Sequence, residues 1–272
     1  MVELSAYDHA VHSDFLVHWT GKDIDAKFQD AWYQDDKSKT SVQSEEAYEK
    51  RLLDILQHGL WMTSEPGLVW GATNVPATPK CCFTELKLSQ SRRHAFQYGR
   101  LGIGVKRPFL FERFGRPLAY FGFGGHSNDA LLDACGRDLK NKDLLNFFKP
   151  MNSGRTLNYD LYGESEWRIL YFNELIEDRK IIDPRDSKNV KSHEYFNSLP
   201  AVDRERLKFL IPLDGWFAGV IYPSLQMKNW AQHAQSAARS QITKIKSLPD
   251  HGNNVEGGNW PIEVHLDSCR HF

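Results

Sequence analysis

Cysteine is scarce in this sequence. Four occur in 272 residues, at positions 81, 82, 135 and 269; two are adjacent and none has Cys-x-x-Cys spacing. That excludes a disulfide framework and a thiolate zinc site as organising elements. Long apolar runs are lacking too. No stretch approaches the roughly 18 residues of a membrane helix, and Met1 to Ala10 has no basic-then-apolar leader pattern. A cytoplasmic chain with no membrane partner is the expectation. There is no internal repeat, no low-complexity tract, no Walker loop and no Rossmann fingerprint. No Asp/Glu/His set has metal-ligand spacing, so no metal is expected and a nuclease ranks last among the activities considered.

The composition that remains is ordinary for a globular chain, 41% hydrophobic and 25% charged, enough for one large domain or two small ones. The formal net charge of −1 is unevenly spread. Between Lys87 and Arg116 eight basic residues face a single acid, Glu112, making that segment +7 and the remainder −8. Such asymmetry points to a polyanion or a phosphate-bearing ligand, and fits equally a solvated basic loop.

Periodicity gives α+β elements. Asp14 to Thr20 reads as a strand bearing His18. Gly21 to Lys39 reads as a loop or short irregular helix. Ser44 to Gly59 reads as a helix with Ser44 as cap, Gly59 at its C′ position, and Tyr48, Leu52, Ile55 and Leu56 on one face. Leu60 to Thr63 and Cys81 to Glu85 read as strands around a Pro/Gly-rich loop. Leu86 to Tyr98 reads as a helix exposing Arg92, Arg93 and His94. Gly99, Gly102 and Gly104 precede a strand and permit close approach of a ligand to backbone. Further strands are expected at Pro117 to Phe121, Trp167 to Phe172, Leu207 to Ile211, Phe217 to Tyr222 and Ile262 to Leu266. Helices are expected at Asn128 to Phe148 and, stopped by Pro249, at Ser224 to Leu248.

The chemistry is placed at Glu164-Ser165-Glu166, just before the apolar strand. On a strand, residues i and i+2 share a face, so the two carboxylates are expected side by side, each raising the other's pKa. Such pairs occur in active sites. The same spacing also fits two solvated glutamates at a strand entrance.

His18-Trp19-Thr20, Leu53 to Leu60, Cys82-Phe83-Thr84-Glu85, Tyr98-Gly99 with Gly102-Ile103, and Glu164 to Arg168 occur in a telling order. Over roughly residues 14 to 225 the chain resembles the AbiGi-type abortive phage resistance proteins, some of which are labelled antitoxins. At the level of motifs it is similar to the ADP-ribosyltransferase toxins. The resemblance implies one α+β domain over residues 1–272, two short, mostly antiparallel sheets forming a cleft with flanking helices, and residues 224–272 packed on it. It implies NAD as substrate, held by His18 with Trp19 and Thr20 and by Tyr98 as a stacking ring, and Glu166 as catalytic acid assisted by Glu164. Arg107 or Arg100 suits the pyrophosphate, because a guanidinium matches phosphate oxygens. Arg92, Arg93 and Arg100 are the expected nucleic-acid contacts, with RNA favoured over DNA or protein as acceptor and Trp61, Trp70 or Phe96 able to stack on a base. The function implied is an NAD-dependent ADP-ribosyltransferase toxin of a phage-defence system, with a cognate antitoxin as a possible partner. The alternative is a non-catalytic antitoxin or binding component of such a system.

Overall fold

The computed structural model describes residues 15–29, 41–65, 68–70, 73–85, 87–121, 137, 139–150, 164–248 and 260–271. In chain order the strands are β1 (Phe15–Thr20), β2 (Leu60–Thr63), β3 (Leu68–Trp70), β4 (Thr73–Val75), β5 (Lys80–Thr84), β6 (Leu101–Lys106), β7 (Arg116–Pro117), β8 (Ala119–Phe121), β9 (Phe148–Pro150), β10 (Glu166–Leu170), β11 (Leu207–Ile211), β12 (Phe217–Tyr222) and β13 (Ile262–His265). The helices are α1 (Lys22–Phe28), α2 (Val42–His58), α3 (Ser91–Tyr98), α4 (Arg107–Phe111), α5 (Asn173–Glu177), α6 (Val190–Ser198), α7 (Ala201–Arg206), α8 (Leu225–Gln232) and α9 (Ala237–Lys246). The class is mixed α+β. The chain, read from sequence as one domain, divides into two compact units: Met1–Leu53 with Thr84–Arg107 and Gly215–Phe272, and Asp54–Phe83 with Pro108–Asp214.

In the first unit β6 is the central strand. β1 pairs with it antiparallel, His18 opposite Ile103, and β12 pairs antiparallel on its other edge and parallel with β13. The glycines expected to admit a ligand lie inside or beside this buried strand and admit neighbouring protein instead. A Cβ at Gly102 would stand 3.0 Å from Val17 Cγ1 and 3.1 Å from Ile221 Cβ. Gly99, at φ 108°, has Lys22 N only 2.3 Å from where its Cβ would be, so two backbones touch there. One face of β1 and β12 adds Val17, Trp19 and Ile221 to a core completed by Ala95, Leu266 and Cys269.

A polar cluster sits at the start of α2. The N-cap is Ser41, whose hydroxyl accepts from Ser44 N–H at 3.1 Å, three residues earlier than expected. Ser44 is released to accept from Arg100 Nη2 at 3.0 Å, and Arg100 Nε donates to Asp25 at 2.9 Å. The Tyr48 hydroxyl lies 2.8 Å from Asp25 Oδ1 and 3.0 Å from Gly21 O, and accepts from Arg100 N–H. The expected 224–248 helix is two helices, α8 and α9. The Ser236 side chain accepts from Arg239 N–H and caps α9, because a serine that satisfies an orphan amide competes with helix continuation.

In the second unit β2 pairs antiparallel with β11 and with β5, while β10 pairs with β5 and β7. β11 and β12 are therefore not the hairpin partners that their succession suggests. Gly59, at φ 104°, ends α2 as expected; a side chain there would meet Ile211 O at 2.2 Å. The proline-rich stretch expected to be loop contains the β3–β4 pair. The helix expected over Asn128 to Phe148 lies largely outside the described residues; its described end is a 3-10 turn, Lys142–Phe147, leading into β9. The charged loop expected to Glu194 gives way to α6 at Val190.

Candidate active site

The site grows from β10. Its apolar residues Ile169 and Leu170 are fully buried, which anchors the strand, and its first residue, Glu166, is only 7% exposed. Glu164 precedes the strand and Ser165 between them is left-handed at φ 45°. The carboxylates converge, then, by a backbone turn and not by strand alternation. Their meeting point is Lys149, whose ammonium donates to Glu164 and, at 2.6 Å, to Glu166 Oε2. Lys149 comes from β9, which runs parallel to β8 with Tyr120 opposite it. The Tyr120 hydroxyl in turn accepts from Glu166 N–H at 2.9 Å.

On the other side, Arg168 Nε donates to Glu166 Oε1 at 2.6 Å. Residues 166 and 168 share a strand face, which is why the guanidinium meets the carboxylate. Arg168 Nη1 also donates to the carbonyl of Asn146 at 2.5 Å, and the Asn146 amide is held by Pro76 O and Thr78 Oγ1. Two carboxylates and two cations form a cluster of zero formal charge.

At Glu166 the electrostatics reverse the sequence expectation of a raised pKa. Burial would raise Glu166, but Arg168 and then Lys149 outweigh it and hold the carboxyl down at about 2. Burial would lower Lys149, and Glu166 and Glu164 raise it instead. Burial, then Glu166, pushes the Cys82 thiol up to about 12, and burial pushes Tyr120 up to about 12. At neutral pH Glu166 is an anion and Cys82 and Tyr120 are neutral.

The residues expected to hold NAD lie in the first unit. His18 is half-buried on β1 and shares a face with Leu16 and Thr20; Thr20 Oγ1 accepts from Arg51 at 3.0 Å. Trp19 points the other way, into the apolar core at 9% exposure, so strand alternation removes it from a set with His18. Tyr98 packs against that same core at the end of α3. Arg107 pairs with Glu85.

The expected nucleic-acid contacts fare unequally. Arg93 is exposed on α3, and Arg92 pairs with Asp267 at 2.7 Å. Arg100 is 0% exposed in its ion pair with Asp25, so neither a phosphate nor a nucleic acid reaches it. His94, expected at the surface, is 2% exposed. Arg113, another of the eight basic residues, is buried against Asp214 at 2.8 Å. Much of the +7 segment is thereby neutralised inside the fold. Trp70 has no described side chain.

Sequence reasoning missed Lys149, Tyr120, Asn146 and Arg168. Arg168 was legible as the same-face neighbour of Glu166; Lys149 was not, because nothing local signals a parallel pairing of two three-residue strands. Among the described residues no group of three His, Cys, Asp or Glu side chains is placed to hold a metal, and no helix is long and apolar enough to cross a membrane. No protein-family model, curated protein or solved structure matches this chain.

Proposed function

We propose that the chain is an NAD-dependent ADP-ribosyltransferase acting as the toxin of a phage-defence system, with a nucleic acid as acceptor. The observation that supports this reading is a buried glutamate kept ionised at neutral pH by two cations. Cleaving the nicotinamide–ribose bond develops positive charge on the ribose, as in glycoside hydrolysis. A fixed anion stabilises that charge more in the transition state than in the ground state. Glu166, held near 2, is a poor proton acceptor, so its role is electrostatic and as an acceptor for a ribose hydroxyl. Each carboxylate oxygen offers two lone pairs, so the bonds to Lys149 and Arg168 leave capacity for a substrate hydroxyl. Glu164 is assigned the proton of the incoming nucleophile.

The test is incubation of the purified chain with adenine-labelled NAD and cellular RNA, DNA and protein, following nicotinamide release and the labelled fraction. Glu166→Asp keeps the charge and shortens its reach. It should lower release on the order of a hundredfold, the usual effect of misplacing a group by about 1 Å. Release unchanged in this variant, or absent from the wild type, removes the assignment. His18→Gln separately tests whether His18 holds NAD; a raised KM is expected.

A second reading, a non-catalytic antitoxin or binding component, is favoured by the completeness of the ion cluster, since a structural role needs nothing beyond Lys149 and Arg168. Under it Glu166→Asp changes stability alone.

A further inference from the structure

Trp167 follows Glu166 along β10, so its ring leaves the strand on the face opposite Glu166 and Arg168. A groove of about 520 Å³ opens there, lined by Phe111, Phe114, Gly115, Arg116, Pro117 and Trp167. Phe111 is 57% exposed and Phe114 42%. The Phe111 and Trp167 rings lie 6.0 Å apart, centre to centre, tilted by 52°. The one charged lining residue is Arg116, exposed on β7, whose side chain has no acidic partner among the described residues. The nearby acid, Glu112, is taken up by Lys180 at 2.5 Å.

The backbone adds a separate observation. The helix ending at Phe111 closes with Gly115 N–H donating to Leu110 O at 2.7 Å, and Phe114 holds φ 56°. That left-handed position is ordinarily glycine, and a bulky residue there is an outlier. The chain keeps a phenylalanine whose ring is partly exposed and lies edge-on to Phe172 at 5.9 Å. Backbone strain kept around a partly exposed ring motivates assigning a ligand to it.

We propose that this groove takes an unpaired base of a single-stranded nucleic acid, stacked on the rings of Phe111, Phe114 and Trp167, with Arg116 on the adjoining phosphate. Aromatic faces accept any base, and a guanidinium matches phosphate oxygens. The inference gives the acceptor half of the proposed function a site, different from the expected Arg92, Arg93 and Arg100. It does not rest on NAD chemistry, so the two fail separately.

The test uses the full chain without NAD. Fluorescent RNA and DNA single strands of about ten nucleotides, the matching duplex, adenosine monophosphate and an aromatic-rich peptide are titrated. Single strands of either sugar should bind more tightly than the duplex. Phe111→Ala should weaken binding about 5- to 150-fold, and Arg116→Ala should reduce the salt slope by about one. Phe114→Gly should weaken binding yet raise the unfolding midpoint, a pair of opposite changes that a packing role for the ring would not give. The proposal is overturned if Phe111→Ala and Arg116→Ala bind single strands within about twofold of the wild type. It is also overturned if duplex or peptide binds as well as single strand, or if adenosine monophosphate alone binds as tightly as the strand.

Discussion

Glu166→Gln should destabilise the protein whatever its catalytic role. The substitution removes one anion from a neutral set of four charges and leaves Lys149 and Arg168 with Glu164 alone. The carboxyl moves from an ordinary 4.5 to about 2 on folding, which is worth about 3 kcal/mol at pH 7. Breaking one partner of a buried ion pair costs about 3–5 kcal/mol, an independent figure of the same size. Because the folded value is depressed, this stability is fully present above 4.5 and is lost as pH falls towards 2. At pH 3.5 the same arithmetic leaves about 2 kcal/mol. Urea unfolding at pH 7 and pH 3.5 tests this, with a midpoint lowered by about 1 M at pH 7 for a slope near 3 kcal/mol per M. Glu166→Gln with Lys149→Met removes one charge of each sign, and should lose less than the two single variants summed, by about 1–3 kcal/mol. Glu166→Gln with a wild-type midpoint at pH 7, or a difference that grows on acidification, would refute the electrostatic account. This variant is for the same reason a poor probe of catalysis, and Glu166→Asp is the better one.

Arg100→Ala should destabilise by about 3–5 kcal/mol, since it strands the buried Asp25 carboxylate, and an unchanged denaturation midpoint would contradict the interior ion pair. Gly99→Ala should cost about 3 kcal/mol or more from the left-handed backbone and the contact with Lys22 N, read as a lowered midpoint or loss of folded protein on expression. Ser236→Ala should cost about 1 kcal/mol by removing the cap of α9, with hydrogen exchange of the Arg239 amide accelerating if the cap is as described.

What was legible in the sequence follows the physics that acts locally. β10 is readable because Trp167, Ile169 and Leu170 are apolar and suit a strand, and α2 because its stripe and Gly59 agree. The Glu164–Glu166 pairing was expected from a strand face and is achieved by the left-handed Ser165, so the contact was foreseen and its cause was not. The charges that reverse the pKa expectation come partly from β9, a partner that no local pattern announces. Gly102 and Gly104 read from sequence as ligand-facing because glycine signals close approach without naming what approaches. His94 is buried because Ser91, His94 and Ala95 form the inward face of α3, a spacing that was visible once histidine is allowed to be a core residue. Arg100 is the converse case: a count of charges along a basic segment does not distinguish those that lie in the interior, as Arg100 does beside Asp25.

The torsion at Ser165 carries a consequence for what can replace it. Since that torsion aims both acids at a single ammonium, the gap between them is written into the main chain and not into freely rotating side chains. Position 165 will accept glycine, asparagine or aspartate, which visit this conformation readily, and will reject valine or isoleucine even though either would suit the strand that follows.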